Sequence, residues 1–193
     1  MNKKFLKPSF SNTGKIATVA CFQTVIQYIF FYVGLANTTG VKGTVITGAN
    51  SFFSILFASL IFRQERMTVK KIIACVIGFF GILLINLNGF NLNFNIQGDL
   101  FVLFSSMAYG ISGGLIKKYS KYENPVIISG YQFLMGGFVM CIAGILLGGV
   151  IEISDIRAWG VLVYLAMLSA VAYSLWGVLL KHNPVSKVSV YSF

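Results

Sequence analysis

The sequence predicts an all-α protein, a polytopic bundle of transmembrane helices, and three observations carry that prediction. The 193-residue chain is 56% hydrophobic and 10% charged, with a mean hydropathy of +0.80. That leaves too little polar surface to cover a water-soluble globule. Charges are missing from long stretches rather than merely spaced along them, as in membrane spans. The basic residues fall in short clusters between those stretches, and the clusters alternate in strength along the chain.

A helix rising about 1.5 Å per residue needs about 20 residues to cross a hydrocarbon core of about 30 Å. Six stretches qualify: 16–36, 43–62, 72–88, 99–116, 126–149 and 159–180. A seventh begins near Val188. The first follows Lys3, Lys4, Lys7 and Lys15, as the core of a signal peptide would. It is nevertheless long enough to span, and no small-residue cleavage site follows, so it is read as a retained span. Breaker residues mark the connections: Asn37-Thr38-Thr39-Gly40, Asn86 to Gln97, Glu123-Asn124-Pro125 and Asn183-Pro184. Connections this short make consecutive spans antiparallel neighbours.

Charge sets the expected orientation. Counted from the N-terminus, the odd-numbered loops hold Lys3, Lys4, Lys7 and Lys15, then Arg63, Arg66, Lys70 and Lys71, then Lys117, Lys118 and Lys121, then Lys181 and Lys187. Those are all but Lys42 and Arg157 of the 15 Lys and Arg residues. The even-numbered loops add the acids Asp99, Glu152 and Asp155. Cytoplasmic loops are enriched in Lys and Arg, so the N-terminus and the loop before the seventh span are expected in the cytoplasm, in a cell-membrane protein. A missed or invented helix would scramble this alternation. The net charge of +10 is thus a topology signal, compatible with anionic headgroups. No nucleic acid is expected as a partner, because the basic residues form no stripe along a folded face.

Sliding the chain against itself aligns Tyr28 to Lys42 with Tyr173 to Lys187. Tyr28/Tyr173, Val33/Val178, Leu35/Leu180, Lys42/Lys187 and Val45/Val190 coincide, and Thr24/Ser169 and Thr44/Ser189 are near matches. The copies are the first and sixth spans, five apart, and a repeat of five spans turns the second copy upside down. Inverted repeats are typical of secondary transporters, whose substrate site lies between the halves near the midplane. Two such units need more than 193 residues, so the sequence is read as part of a longer protein.

The chemistry of soluble enzymes is absent. Cys21, Cys75 and Cys141 lie far apart inside apolar stretches, without zinc or disulfide spacing, and are read as small core residues. His182 is read as a helix-end residue. No metal and no cofactor is expected. No Asp, Glu, Lys or Arg falls mid-span, where one would mark a proton relay or ion site. Neutral polar residues at helical spacing remain: Gln23 and Gln27 in the first span, and Thr47, Asn50 and Ser54 in the second. The fourth adds Ser105, Tyr109 and Ser112, and the sixth Ser169, Tyr173 and Trp176. Of these, Gln23, Gln27, Thr47, Asn50, Ser105, Tyr109, Ser169 and Tyr173 are the candidates for lining a substrate pocket. Against this stands a plainer reading, in which Ser and Thr bond back to their own helix and the others hold helices together. It weighs least on Gln23, Gln27 and Asn50, because an unanswered amide in hydrocarbon costs several kcal/mol. The tyrosines and Trp159 also suit interface anchoring. Gly110-xxx-Gly114 and Gly144-xxx-Gly148 are read as close-packing faces.

Three stretches carry a family resemblance. The segment Phe62-Arg-Gln-Glu65 through Lys70-Lys71 to Gly78 and Gly81 resembles the span, acidic turn and Gly-rich span of EamA-type proteins of the drug/metabolite transporter superfamily. Gly98-Asp99 through Tyr109 and Pro125 to Tyr131-Gln132 is similar to the start of that family's second unit, and Ala172-Tyr173 through Asn183-Pro184 to Lys187 to a later part of it. The resemblance runs from about Ile16 onward and rests on the succession rather than on one motif. It implies ten spans in two inverted five-span halves with both ends cytoplasmic, of which about six and a half are present here. Residues 1–15 would then be a cytoplasmic basic segment and 16–88 the last three spans of the first unit. An external linker would occupy 89–97, and 98–193 a second unit cut in its fourth span. It also implies movement of small metabolites, amino acids or drugs, commonly outward, by alternating access. Where the family usually has a proline early in its fourth span, this chain reads Ala49-Asn50-Ser51-Phe52-Phe53, so any kink there must come from other residues. The expected partners are the bilayer, a small solute and, as an option, a second copy of the chain. The competing readings are a membrane protein that transports nothing itself, either an assembly partner or the relic of a truncated gene, and an intramembrane enzyme. The last would need a buried His/Asp/Glu cluster or Ser/Lys pair, and none is visible.

Overall fold

The structure, a computed structural model, describes residues 12–85, 95–150 and 155–192, and all regular structure among them is helical. Lys3, Lys4, Lys7, Glu152, Phe193 and most of the 86–97 connection lie outside the described residues. The first span is built from α1 (Thr13–Ala20), a π-helical turn (Cys21–Ile26) and α2 (Gln27–Ala36). The second is α3 (Gly40–Thr47) and α4 (Ala49–Leu60), interrupted at Gly48. Then follow α5 (Val69–Ile85), α6 (Ile96–Tyr119), α7 (Pro125–Leu146), α8 (Ile156–His182) and α9 (Val185–Ser189) with a 3₁₀ turn to Ser192. Among the described residues five helical stretches are long and apolar enough to cross a membrane: 13–36, 40–60, 96–119, 125–146 and 156–182. The described part of α5 has 17 residues, about 25 Å of helix.

The helix starts follow from their capping residues. Asn95 accepts from the backbone N–H groups of Gln97 and Gly98, Asn124 from Val126 ahead of Pro125 at the first helical position, and Asp155 from Arg157. Asp99 in the first turn of α6 and Lys117 and Lys118 in its last suit the helix dipole. The break in the second span lies at Gly48, directly before Ala49-Asn50-Ser51-Phe52-Phe53. Ser51, in that segment, donates its hydroxyl to the Ser189 carbonyl at 2.8 Å.

α6 is the centre of the bundle and packs on α2, α3, α4 and α8. Glycines allow the approach. A Cβ on Gly34 would stand 2.8 Å from the Val102 nitrogen, and one on Gly98 would overlap the Asn37 carbonyl. One on Gly110 would meet the Phe53 backbone at 2.8 Å, and one on Gly114 the Phe62 ring. The expected Gly110/Gly114 packing face is therefore present. The apolar core concentrates at one end, where Ile16, Val19, Ala58, Leu115, Ile116, Ile128, Leu180, Val185 and Val188 are buried together. Apolar side chains cover the outer faces of α5 and α7, and every residue of α8 from Ile156 to Ala172 is exposed. In a multi-pass membrane protein the hydrocarbon of the bilayer solvates such faces.

Three expectations are corrected. Gly144 and Gly148 make no packing face: a Cβ on either would meet nothing within 4 Å. Gly148 instead ends α7 with φ +78°, while the Gly149 N–H donates to the Gly144 carbonyl. Of the cysteines only Cys75 is buried; Cys21 and Cys141 lie on exposed apolar helix faces, because an apolar neighbourhood in a membrane helix does not distinguish core from lipid. The seventh helix starts at Val185 rather than near Val188, directly behind Asn183-Pro184.

Candidate functional site

The first span is regular except at Cys21–Ile26, where the Gln27 N–H reaches back to the Phe22 carbonyl. This π turn carries Gln23, which is 1% exposed. Neither amide atom of Gln23 has a hydrogen-bond partner among the described residues, and the same holds for the Gln27 side-chain oxygen and the Thr24 hydroxyl. Thr24 packs onto α7: a Cβ on Gly136 would stand 2.5 Å from the Thr24 Cβ. One turn before Gly136 on α7 is Gln132, 0% exposed, again with both amide atoms unpartnered. Two buried amides thus stand near one helix contact, each offering a donor and an acceptor.

Aromatic side chains link the same helices to α8. Phe133, beside Gln132, packs edge-on against Tyr173 of α8 at 4.7 Å between centroids. The Tyr173 hydroxyl lies 3.1 Å from that of Tyr28 on α2. Tyr109 of α6 lies 6.2 Å from Trp176, whose indole N–H is buried without a partner among the described residues. A cleft of about 600 Å³ between α8 and α9 is lined by Trp176, Leu179, Asn183, Lys187 and Tyr191.

The remaining predicted residues divide. Among the described residues nothing partners the side-chain oxygen of Asn50 or that of buried Ser54 beside Gly110, and Ser105 is buried on α6. The Thr47 hydroxyl bonds back to the Thr44 carbonyl, and that of Ser112 to the Tyr109 carbonyl. Ser169 stands on the exposed stretch of α8, apart from the cluster. Gln132, Thr24, Tyr28 and Trp176 were not among the pocket candidates. For Gln132 the signal was available, an amide within an apolar span.

Each end of the bundle carries an ion pair. Lys42 and Asp99 are 3.2 Å apart and almost fully buried, and Asp99 also accepts from the Thr38 hydroxyl and the Asn95 N–H. At the other end of α6, Glu65 accepts from Lys71 and from both the N–H and the hydroxyl of Ser186 at the start of α9. Burial raises the Glu65 carboxyl, but the Lys71 and Ser186 hydrogen bonds and the Lys71 charge outweigh it and hold it below the usual carboxylate range. At this end Gln64 donates to the Gly114 carbonyl and Lys117 to that of Asn183, so three odd-numbered loops meet here. Among the described residues no cluster of His, Cys, Asp or Glu could hold a metal.

The sequence model of the EamA-like transporter family matches residues 2–87 and 96–193. The chain is 25% identical over 169 residues to the uncharacterized transporter YyaM of Bacillus subtilis, covering 83% of this chain and 55% of that protein. It is 30% identical over 133 residues to an uncharacterized transporter of Methanothermobacter thermautotrophicus, covering 67% and 38%. A third, from Archaeoglobus fulgidus, is 26% identical over 185 residues, covering 92% and 63%. The chain therefore spans less than two thirds of the length of each of these relatives. No solved structure gives a significant match.

Proposed function

We propose that this chain, which belongs to the EamA-like transporter family, moves small organic solutes outward across the cell membrane by alternating access, with its N-terminus in the cytoplasm. The observation that carries the reading is the Tyr28–Tyr173 contact. These residues are 145 positions apart, the offset at which the chain matches itself, and their hydroxyls touch. Repeat-equivalent residues meet only where they approach the axis relating the two copies. A contact between them therefore supports an inverted repeat, and the unpartnered amides nearby support a solute site on its axis.

The two ion pairs supply closures for both faces. The starts of α3 and α9 are equivalent under the same offset (Lys42 with Lys187), and each is held by a carboxylate from elsewhere in the chain. Asp99 holds the first through Lys42, and Glu65 the second through Ser186. Opening one side would release one carboxylate while the other stays engaged. The convergence of basic loops at the Glu65 end supports placing that end in the cytoplasm. The test is a comparison of solutes inside and outside cells producing the protein. Cells with the wild-type chain are expected to shift the distribution of some small solute, and cells with Gln23→Leu to resemble cells lacking the protein. Equal distributions in all three would contradict transport.

A further inference from the structure

We propose that the Glu65 end of the bundle binds the phosphate of an anionic phospholipid, with an acyl chain of that lipid laid along the seam between α4 and α5. A cavity of about 410 Å³ lies there, lined by Lys70 and Lys71 of α5, by Lys187 of α9 and by the apolar side chains of Ile55, Ala74 and Val190. The carboxylate in its lining is Glu65, which accepts from Lys71 and from the N–H and hydroxyl of Ser186. No carboxylate among the described residues comes within ion-pair distance of Lys70 or Lys187. Three ammonium groups therefore stand against one carboxylate, and that carboxylate is already engaged.

The seam continues into apolar surroundings. A second cavity, of about 320 Å³, lies between the same two helices and is lined by Ala49, Phe52, Cys75, Val76, Phe79 and Phe80, none of them charged. α4 runs toward the turn at 61–68 and α5 away from it, so Ile55 and Ala74 lie nearer that turn than Ala49 and Phe79 do. The lysine-lined cavity is thus at the helix ends and the apolar one deeper, with Ile55 and Ala49 about 9 Å apart along α4 at about 1.5 Å per residue. A phospholipid has its parts in the same order, a charged phosphate at headgroup level and hydrocarbon below it. Ile72, Ile73, Val76, Ile77 and Phe80 of α5 are exposed, as on a helix whose outer face meets hydrocarbon, so a lipid reaches the seam from the side. Charge decides the class of lipid. Lysines at a helix end extend to the headgroup level, and basic pockets between membrane helices take anionic headgroups. A zwitterionic lipid brings an ammonium of its own, and Glu65, which could take it, is held by Lys71 and Ser186. The bound phosphate would join Lys70 of α5 to Lys187 of α9, beside the hold that Glu65 has on the start of α9.

The experiment is native mass spectrometry of the purified protein in detergent, titrated with phosphatidylglycerol, with phosphatidylcholine of the same chains, or with glycerophosphoglycerol, the headgroup without its chains. Phosphatidylglycerol is expected to bind about tenfold or more tightly than either of the others. In the Lys70→Gln/Lys187→Gln variant the two lipids should bind alike. Lys118→Gln/Lys121→Gln removes the same charge from the same end but outside the cavity, and should keep the preference. Ala49→Leu, which narrows the apolar cavity, should weaken phosphatidylglycerol and leave glycerophosphoglycerol unchanged. Equal binding of the two lipids by the wild-type chain would overturn the proposal, as would equal loss in both lysine variants, which marks a diffuse charge effect. A preference that survives Lys70→Gln/Lys187→Gln would overturn it too. Glycerophosphoglycerol bound as tightly as the lipid would replace it with a site for soluble phosphate esters. Binding is read without flux, so the outcome is independent of whether the chain transports a solute.

Discussion

A primary amide buried in an apolar bundle is costly unless something answers it, and Gln23 and Gln132 are answered by nothing among the described residues. This gives a prediction of opposite signs. Replacing Gln132 by leucine, close to it in shape, should stabilise the protein by about 1–3 kcal/mol in thermal or denaturant unfolding while impairing solute handling. A purely structural glutamine would lose stability instead. The Tyr28–Tyr173 contact gives a second test. A double-mutant cycle with Tyr28→Phe and Tyr173→Phe should show a coupling of about 0.5–1.5 kcal/mol, and zero coupling would deny the contact. At this scale the sequence was partly legible. Gln23 and Gln27 stood out because two amides recurred at helical spacing, and both carry unpartnered atoms. Gln132 stands alone in its helix, so a search for recurring polar faces passes over it. Thr47 and Ser112 bond to their own helices, a local choice that composition does not disclose.

Helices in this bundle meet where side chains are absent. Gly98 lies under Asn37, and Gly34 under Val102 and Gly98 itself, so α2 and α6 touch backbone to backbone. Gly98→Leu should cost at least about 1–3 kcal/mol, measured by unfolding in detergent, whereas Gly144→Leu should be nearly neutral because its neighbourhood is open. The sequence could not separate Gly110 and Gly114 from Gly144 and Gly148, since a pair of glycines four apart looks alike on a packed face and at a helix end. The π turn at Cys21–Ile26 was equally invisible, as a change of hydrogen-bond register leaves composition untouched. The Glu65 latch carries a pH prediction. Its carboxyl is held below the usual range in the folded state, so the stabilisation it gives is full above the ordinary carboxylate value. It is lost as pH falls through the lower folded value. Glu65→Gln should abolish that segment of the stability–pH curve, and an unaltered curve would show that the latch contributes nothing.

For the whole molecule, the alternation of basic loops and the apolar run lengths announced an all-α polytopic bundle, because both are properties of composition over tens of residues. The five described stretches long enough to span fall on five of the six predicted ones. What the sequence left obscure is how the helices face each other, which depends on glycine contacts and on the two carboxylate latches. The proposed working of the molecule requires that a residue at the centre be reachable from each side in turn. The most direct measurement places a single cysteine at position 23 (Gln23→Cys) in a chain whose Cys21, Cys75 and Cys141 are replaced by alanine. It is then labelled with a membrane-impermeant maleimide from either face of oriented vesicles. Alternating access predicts labelling from both faces, shifted toward the Glu65 end by Glu65→Gln and toward the opposite end by Asp99→Asn. Labelling from neither face, or from one face only whichever latch is removed, would contradict it.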